Sequence, residues 1–146
     1  MTINYEQTVL IVDDMEANIS LLRQLLAPLN INLLTATSGV EALRKIDAHE
    51  VDLLLLDVHM PDMTGFDVAK ALQDDDDYNE IPVIFITASD KFQDEFHRLK
   101  GYEYGAVEYI QKPIDSETLR AKVKVFLRLS QQEKLLLIIF LVMINS

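Results

Sequence analysis

The chain has 146 residues, a formal net charge of −11 and no cysteine. That length predicts one domain with at most a small appended element, and a chain without cysteine has neither disulfides nor thiolate metal sites. The negative charge argues against direct nucleic-acid binding, because phosphate backbones attract basic surfaces. The first residues lack the charged and apolar regions of a signal peptide, so we expect a cytoplasmic protein.

Predicted strands and helices alternate along the chain. Short β-branched or leucine-rich runs predict the strands, and apolar residues at intervals of three and four predict the helices. Pro28 ends the first helix, and Ser38 with Glu41 three residues later predicts a capping box at the start of the second. In chain order the elements are strand 8–12, helix 15–26, strand 32–36, helix 38–49, strand 51–56, helix 66–73, strand 82–86, helix 90–104, strand 107–111 and a helix from 116.

The third strand is the most informative segment. Four leucines lead directly to Asp57. A continuous apolar run suits a strand buried on both faces, and a carboxylate at its end is costly to bury without compensation. Pro61 then keeps the preceding backbone extended, and Gly65 permits a tight turn. We therefore expect Asp57 at the carboxyl end of a buried parallel strand, where open α/β sheets bind their ligands.

The alternation predicts an α/β fold with a parallel sheet covered on both faces. Five strands suit the flavodoxin-like, doubly wound (βα)5 arrangement, with strand order 2-1-3-4-5. In that order the first and third strands are neighbours, which brings Asp13 and Asp14 next to Asp57. Thr87 and Lys112 end the fourth and fifth strands and are expected to face the same cluster.

Three neighbouring carboxylates predict a metal site. They repel one another, and a hard divalent cation relieves the repulsion. Oxygen ligands without cysteine favour Mg²⁺, with Mn²⁺ as a substitute, over zinc. Taken without Asp57, either Asp13 or Asp14 has a simpler interpretation as the N-cap of the helix that begins near Met15.

Four short motifs, in this order and each at a predicted strand end, resemble the receiver domain of two-component response regulators. The similarity covers about residues 7 to 129. It implies that Asp57 accepts a phosphoryl group from a phosphohistidine of a sensor histidine kinase or phosphotransfer protein, and that the chain is a phosphorelay switch rather than a turnover enzyme. The motifs are Val12-Asp13-Asp14, Asp57-Val58-His59-Met60-Pro61 with Gly65, Thr87-Ala88 and Lys112-Pro113.

The resemblance implies roles for the positions around the metal and the phosphoryl group. Asp14 is expected to bind Mg²⁺ directly and Asp13 through metal-bound water, with the backbone carbonyl of His59 completing the protein ligands. Lys112 is expected to pair with the phosphoryl group. The implied backbone N–H contacts to that group come from Val58 and Ala88.

The resemblance also implies a switch and two tuning positions. Thr87 would hydrogen-bond the phosphoryl group, and Tyr109 would move into the space that Thr87 vacates, which alters the surface formed by the fourth helix, fifth strand and fifth helix. His59 and Ser89 either tune dephosphorylation or are ordinary exposed loop residues. The Lys112-Pro113 bond is usually cis in this family.

Three rival functions fit the sequence less well. A phosphohydrolase of the haloacid dehalogenase type also uses a strand-end aspartate and Mg²⁺, but it needs an acid two residues later, where this chain has His59. A flavodoxin needs a phosphate-cradling loop after the first strand, where this chain has acids. An interaction domain that keeps only the receiver shape would be favoured by the loss of one acid, Thr87 or Lys112, and all of them are present.

The C-terminal region extends beyond the expected domain. We expect a receiver domain over 1–129, with core positions in its last helix, and a helical extension over 130–146. Ten consecutive apolar residues at 135–144 are too few to span a bilayer and are typical of an interface. We favour a helix that pairs with a second copy; the alternatives are a membrane-surface or truncated membrane segment and a remnant or altered end of a longer protein. The downstream effector is not predicted. The core positions are Leu119, Val123, Phe126 and Leu127.

Overall fold

A parallel five-stranded sheet forms the centre of the protein. The computed structural model describes residues 6–88 and 106–145. Its strand order is β2-β1-β3-β4-β5, and all four pairings are parallel. The strands are β1 (Thr8–Val12), β2 (Asn32–Ala36), β3 (Leu53–Asp57), β4 (Val83–Thr87) and β5 (Ala106–Gln111). The predicted fold class and strand order are confirmed.

Helices cover the sheet on both faces. Those described are α1 (Glu16–Leu26), α2 (Gly39–Ala48), α3 (Gly65–Gln73) and the C-terminal helix (Ser116–Ile144). The predicted helix at 90–104 lies outside the described residues. Buried residues of α2 and α3 pack on one face of the sheet, and those of α1 and the C-terminal helix pack on the other. The strands β1, β3 and β4 are buried at every position. This explains why their sequences, apart from one polar residue at an end of each, are continuous apolar runs rather than alternating.

The helix caps differ in detail from the prediction. The Ser38 hydroxyl accepts the N–H of Glu41 at 3.1 Å, as expected, but the Glu41 carboxylate accepts the N–H and hydroxyl of Thr37 at 3.2 and 3.0 Å. The predicted bond from the Glu41 N–H to Ser38 is therefore confirmed, but the reciprocal bond from the Ser38 N–H to the Glu41 carboxylate, which a capping box requires, is wrong. A complete capping box joins Thr64 and Asp67 at the start of α3.

Gly65 is required by a close approach between α3 and β3. Its N–H donates to the carbonyl of Val58 at 3.0 Å. A Cβ placed on Gly65 would lie 2.4 Å from the backbone oxygen of Asp57. The first turn of α3 can therefore reach the end of β3 only without a side chain at this position, which is a stronger constraint than the turn inferred from sequence.

Replacing Gly65 is expected to destabilise the fold. Gly65→Ala should lower the free energy of unfolding by about 2–3 kcal/mol, because the clash is with backbone that cannot rotate away. Gly39→Ala is the matched control. Its Cβ would meet the Met63 sulfur at 2.6 Å and a Val68 methyl at 2.9 Å, which are side-chain rather than backbone atoms, so a smaller loss is expected. Urea unfolding measures both, and an equal or larger loss for Gly39→Ala would contradict this account.

An ion pair between buried Asp52 and partly exposed Lys134 joins the C-terminal helix to the amino end of β3. Asp52 is 4 % exposed, and its carboxylate accepts the N–H of Thr8 at 2.9 Å and pairs with Lys134. Lys134 also pairs with Glu50 at 2.9 Å. Partial burial alone would lower the pKa of Lys134, but its hydrogen bonds to Asp52 and Glu50 outweigh burial and raise that pKa. Lys134 therefore compensates a carboxylate that the fold has removed from water.

Removing Lys134 is expected to cost more than removing another lysine of the same helix. Lys134→Met leaves Asp52 without its cation and should lower the free energy of unfolding by about 1–3 kcal/mol. Lys124→Met, at an exposed position, should change it by less than about 0.5 kcal/mol. Chemical denaturation at neutral pH compares them, and equal effects would show that the ion pair adds nothing.

The C-terminal helix continues past the body of the domain. It runs without a break through position 130, where the sequence suggested a boundary. Each apolar side chain from Leu135 to Ile144 is between 39 % and 69 % exposed. Among the described residues, no helix combines the length and apolar character that crossing a bilayer requires.

Candidate functional site

Three carboxylates converge at the carboxyl ends of β1 and β3. Asp57 is the last residue of β3, and Asp13 and Asp14 follow β1, its neighbour in the sheet. One carboxylate oxygen from each lies within 4.8 Å of the others. Asp13 and Asp57 are buried, whereas Asp14 is exposed. The cluster predicted from strand order is thus formed, and it is open to solvent on the side of Asp14.

Lys112 extends from the end of β5 into this cluster. Its ammonium lies 3.7 Å from Oδ2 of Asp13 and 3.9 Å from Oδ1 of Asp57. Its backbone N–H donates to the carbonyl of Thr87 at 2.8 Å, which holds the end of β5 against β4. The Lys112-Pro113 peptide bond is cis, as the resemblance implied. One cation therefore faces two buried carboxylates.

Asp13 also supports the start of α1. Its Oδ1 accepts the N–H of Met15 at 2.9 Å and the side-chain amide of Asn18 at 3.3 Å, while its Oδ2 faces Lys112. Met15, not an aspartate, occupies the N-cap position, and it makes no side-chain cap. The alternative that Asp13 or Asp14 is the N-cap of α1 is therefore wrong, although Asp13 does accept the backbone N–H of Met15, two residues later. Asn18 was not predicted; no sequence pattern set it apart.

The electrostatics of Asp57 follow from burial and like charge. Burial raises the pKa of the Asp57 carboxyl, and the negative charge of Asp13 raises it further, with a smaller contribution from Asp14. The Lys112 ammonium and the backbone N–H of His59 act in the opposite direction but do not cancel the increase. The folded protein thus holds ionised Asp57 in an unfavourable environment that an added cation would improve.

Thr87 and Val58 lie beside the cluster. Thr87 is fully buried at the end of β4, the strand paired with β3. The N–H of Val58 donates to the carbonyl of Ile86 at 3.1 Å in the β3–β4 ladder. The next N–H along the chain, that of His59, reaches the Asp57 carboxylate instead. The Val58 N–H, which was expected to contact the phosphoryl group, is therefore already hydrogen-bonded within the sheet.

The remaining predicted positions are more widely spread. Ala88 directly follows β4, the His59 residue is exposed, and Ser89 lies outside the described residues. Tyr109 packs against the core on β5, and the ammonium of Lys122 lies 5.9 Å from its ring centroid. Lys122 also donates to the Tyr109 carbonyl at 3.3 Å and pairs with Glu108 at 3.2 Å. Sequence reasoning missed Lys122, since a contact across thirteen positions leaves no local pattern.

The fold and these side chains define a class: a doubly wound α/β protein with an acidic site, able to hold a cation, at the carboxyl ends of its central strands. Residues 9–124 match the family model of the response regulator receiver domain. The chain belongs to this family, whose members are signalling modules.

Known relatives agree with this assignment. The chain is 42 % identical to the response regulator PleD of Caulobacter vibrioides over 80 % of its own length and 25 % of PleD. It is 36 % identical to the polar-differentiation response regulator DivK of Brucella anthropi over 83 % of its length and 96 % of DivK. Against PhoP of Bacillus subtilis, an alkaline phosphatase synthesis transcriptional regulatory protein, it is also 36 % identical, over 84 % of its length and 49 % of PhoP. The chain therefore spans only a quarter to a half of some of these relatives.

Solved structures show the same fold. The chemotaxis protein CheY4 of Vibrio cholerae aligns with a TM-score of 0.75 and 29 % identity, covering 84 % of this chain and 99 % of that one. The signal receiver domain of an HD domain-containing protein from Pseudomonas fluorescens aligns with a TM-score of 0.80 and 26 % identity, covering 92 % and 96 %.

Asp57→Asn is expected to stabilise the metal-free protein at neutral pH. Since folding raises the pKa of Asp57, the free energy of unfolding falls as pH rises from the ordinary value of 3.8 through the higher value in the folded state. Asparagine removes that loss, and the gain at pH 7 should be about 1 kcal/mol, or about 3–5 °C in Tm.

Thermal unfolding with a chelator at pH 7 and near pH 4 measures this effect, and the advantage of Asp57→Asn should shrink at the lower pH. Asp76→Asn, at an exposed position outside the cluster, is the control and should leave Tm unchanged. A less stable Asp57→Asn protein at pH 7 would contradict the electrostatic account.

Proposed function

We propose that Asp57 accepts a phosphoryl group from a phosphohistidine on a sensor histidine kinase or a phosphotransfer protein. A carboxylate oxygen of Asp57 attacks phosphorus, the phosphorus–nitrogen bond breaks, and the imidazole leaves with the bonding electron pair and takes up a proton. The observation that carries this proposal is the arrangement around Asp57: a buried strand-end carboxylate, two further acids within 4.8 Å and a lysine ammonium at 3.9 Å. Phosphoryl transfer depends mainly on such positioning and charge neutralisation.

The donor set fits Mg²⁺, with Mn²⁺ as a substitute. All side-chain donors are carboxylate oxygens, and exposed Asp14 leaves room for the waters that Mg²⁺ retains. We propose that Asp14 and Asp57 bind the ion directly, Asp13 acts through a bound water, and the carbonyl of His59 completes the protein ligands. The ion would neutralise charge on the transferring oxygens. Because the Oδ1 of Asp13 is held by Met15 and Asn18, its direction is set before a cation binds.

Lys112 and Thr87 are proposed to receive the transferred group. Lys112 already faces Asp57 and Asp13, so its ammonium can follow the new negative charge with little movement. Thr87 supplies a hydroxyl at the adjacent strand end, and Ala88 a backbone N–H. We assign the remaining N–H contact to His59 rather than to Val58, because the Val58 N–H is engaged by Ile86. His59 and Ser89 remain proposed tuning positions.

The output of this reaction is proposed to be a change in packing around Tyr109. Movement of Thr87 toward the phosphoryl group would free space for the Tyr109 ring, shifting the balance between two arrangements of β5 and the helices beside it. Lys122, which contacts both the ring face and the carbonyl of Tyr109, would carry that change to the C-terminal helix.

The partners follow from this function. They are the phosphodonor protein, a downstream effector of unspecified identity, and a second copy of the chain bound through the last helix, with no direct nucleic-acid contact. The domain catalyses its own phosphorylation and dephosphorylation without being a turnover enzyme. We place it in the cytoplasm, where ATP supplies such kinases. A dehalogenase-type hydrolase is disfavoured because the position two residues after Asp57 carries an exposed histidine.

Incubation with Mg²⁺ and acetyl phosphate tests the assignment of Asp57. The wild-type protein should gain the mass of one phosphoryl group, and Asp57→Asn should gain none, because an amide is a poor nucleophile. Asp76→Asn serves as the control and should be phosphorylated like wild type. Intact-mass spectrometry gives the result. Phosphorylation that persists in Asp57→Asn would exclude Asp57 as the acceptor.

A further inference from the structure

The C-terminal helix carries a second apolar stripe that the domain core does not use. Its members are exposed and spaced by four, three, four, three and four residues, with one glutamine in the middle. This spacing is the heptad pattern of a coiled-coil seam. We call this set the outer seam; its apolar members are between 46 % and 69 % exposed. The outer seam consists of Val125, Leu129, Gln132, Leu136, Ile139 and Met143.

The outer seam points away from the body of the domain. Leu119, Val123 and Leu127 form the buried stripe of the same helix. Leu129 follows Leu127 by two positions, which rotates it by about 200° around the helix axis. A second helix could therefore lie along the outer seam while each domain body stays on the far side of its own helix.

We propose that the outer seam pairs with the same seam of a second copy in a parallel, in-register two-stranded coiled coil. The inference rests on the self-association included in the proposed function, and it specifies the surface, the orientation and the register. It does not depend on the phosphoryl chemistry of Asp57.

Charge complementarity favours the parallel orientation. Arg128 precedes the seam residue Leu129, and Glu133 follows the seam residue Gln132; both are exposed. These are the flanking positions of a heptad, and in a parallel pair each residue faces the position five residues later on its partner. Arg128 would then meet Glu133 of the second copy twice, by symmetry. In an antiparallel pair each flanking position meets its own kind, so Arg128 and Glu133 do not face each other and this attraction is lost.

Gln132 favours a single register. A polar side chain within an otherwise apolar seam is best satisfied by the same residue of the partner, and a register shifted by one heptad would bury it against Val125 or Ile139. The same pairing covers the flanking apolar residues Leu135, Phe140 and Val142. It leaves the other side of the tail uncovered, which carries Leu137, Ile138, Leu141 and Ile144. A bilayer is the less suitable occupant, because ten helical residues extend only about 15 Å.

Sedimentation tests the surface. The wild-type full chain should sediment as a dimer at micromolar concentration, and Leu136→Asp/Ile139→Asp should be monomeric. The matched control is Ile138→Asp/Leu141→Asp, which replaces the same two residue types on the opposite side of the helix and should remain dimeric. All four positions are exposed, so folding should be unaffected, as circular dichroism would show. A monomeric wild type, a wild type that binds neutral phospholipid vesicles as a monomer, or dissociation of only the control pair would overturn the proposal.

Cross-linking tests orientation and register in a chain that has no cysteine of its own. With a mild oxidant, Gln132→Cys should form a disulfide-linked dimer at least tenfold faster than Gln131→Cys, since only the former sits on the seam. Arg128→Glu and Glu133→Arg should each weaken dimerisation about tenfold, and the double exchange should restore it. Equal cross-linking, or no restoration, would exclude the parallel register.

The two proposals fail separately. Leu136→Asp/Ile139→Asp should still accept a phosphoryl group from acetyl phosphate, and Asp57→Asn should still dimerise. Loss of phosphorylation in the seam variant would show that dimerisation and phosphorylation are not independent. A wild-type monomer that is phosphorylated normally would overturn only the coiled coil.

Discussion

The mutual repulsion of buried carboxylates is the constraint around which this domain is organised. Strand order places Asp13 and Asp57 side by side, and the buried ends of β1 and β3 keep water from screening them. Lys112 offsets part of that repulsion, since the pKa of Asp57 remains raised in its presence. The site therefore favours added positive charge, and a divalent cation would supply the charge that a negatively charged phosphoryl group then requires.

The surrounding structure maintains this arrangement. The α3 helix can approach the end of β3 only because Gly65 has no side chain, and that approach fixes the backbone at Asp57. Met15 and Asn18 orient Asp13, while the backbone bond between Lys112 and Thr87 places the lysine. Each of these contacts is made by backbone or short side chains, so the geometry is set by the fold rather than by flexible groups.

Much of this could be predicted from the sequence because the signals are local. The leucine run before Asp57 indicated a doubly buried strand, and strand order then gave the acid cluster without any contact information. Long-range contacts could not be predicted in the same way. Nothing near Lys134 indicates its pairing with Asp52, and nothing near Lys122 indicates Tyr109. The side chain of Glu41 reached Thr37 instead of Ser38 because two donors compete within one turn, and local pattern does not decide between them.

The two lysines of the C-terminal helix have a mechanical consequence. Lys122 holds the helix beside β5, and Lys134 holds it at the amino end of the central strand β3. They are twelve residues apart, which is about 18 Å along the axis and about 120° around it. Because the two attachments are separated both along and around the helix, they resist rotation of the helix about its axis as well as sliding along it. A displacement beside Tyr109 would therefore tilt the helix about its attachment at Lys134, and the part of the helix beyond Lys134 would move in the opposite direction.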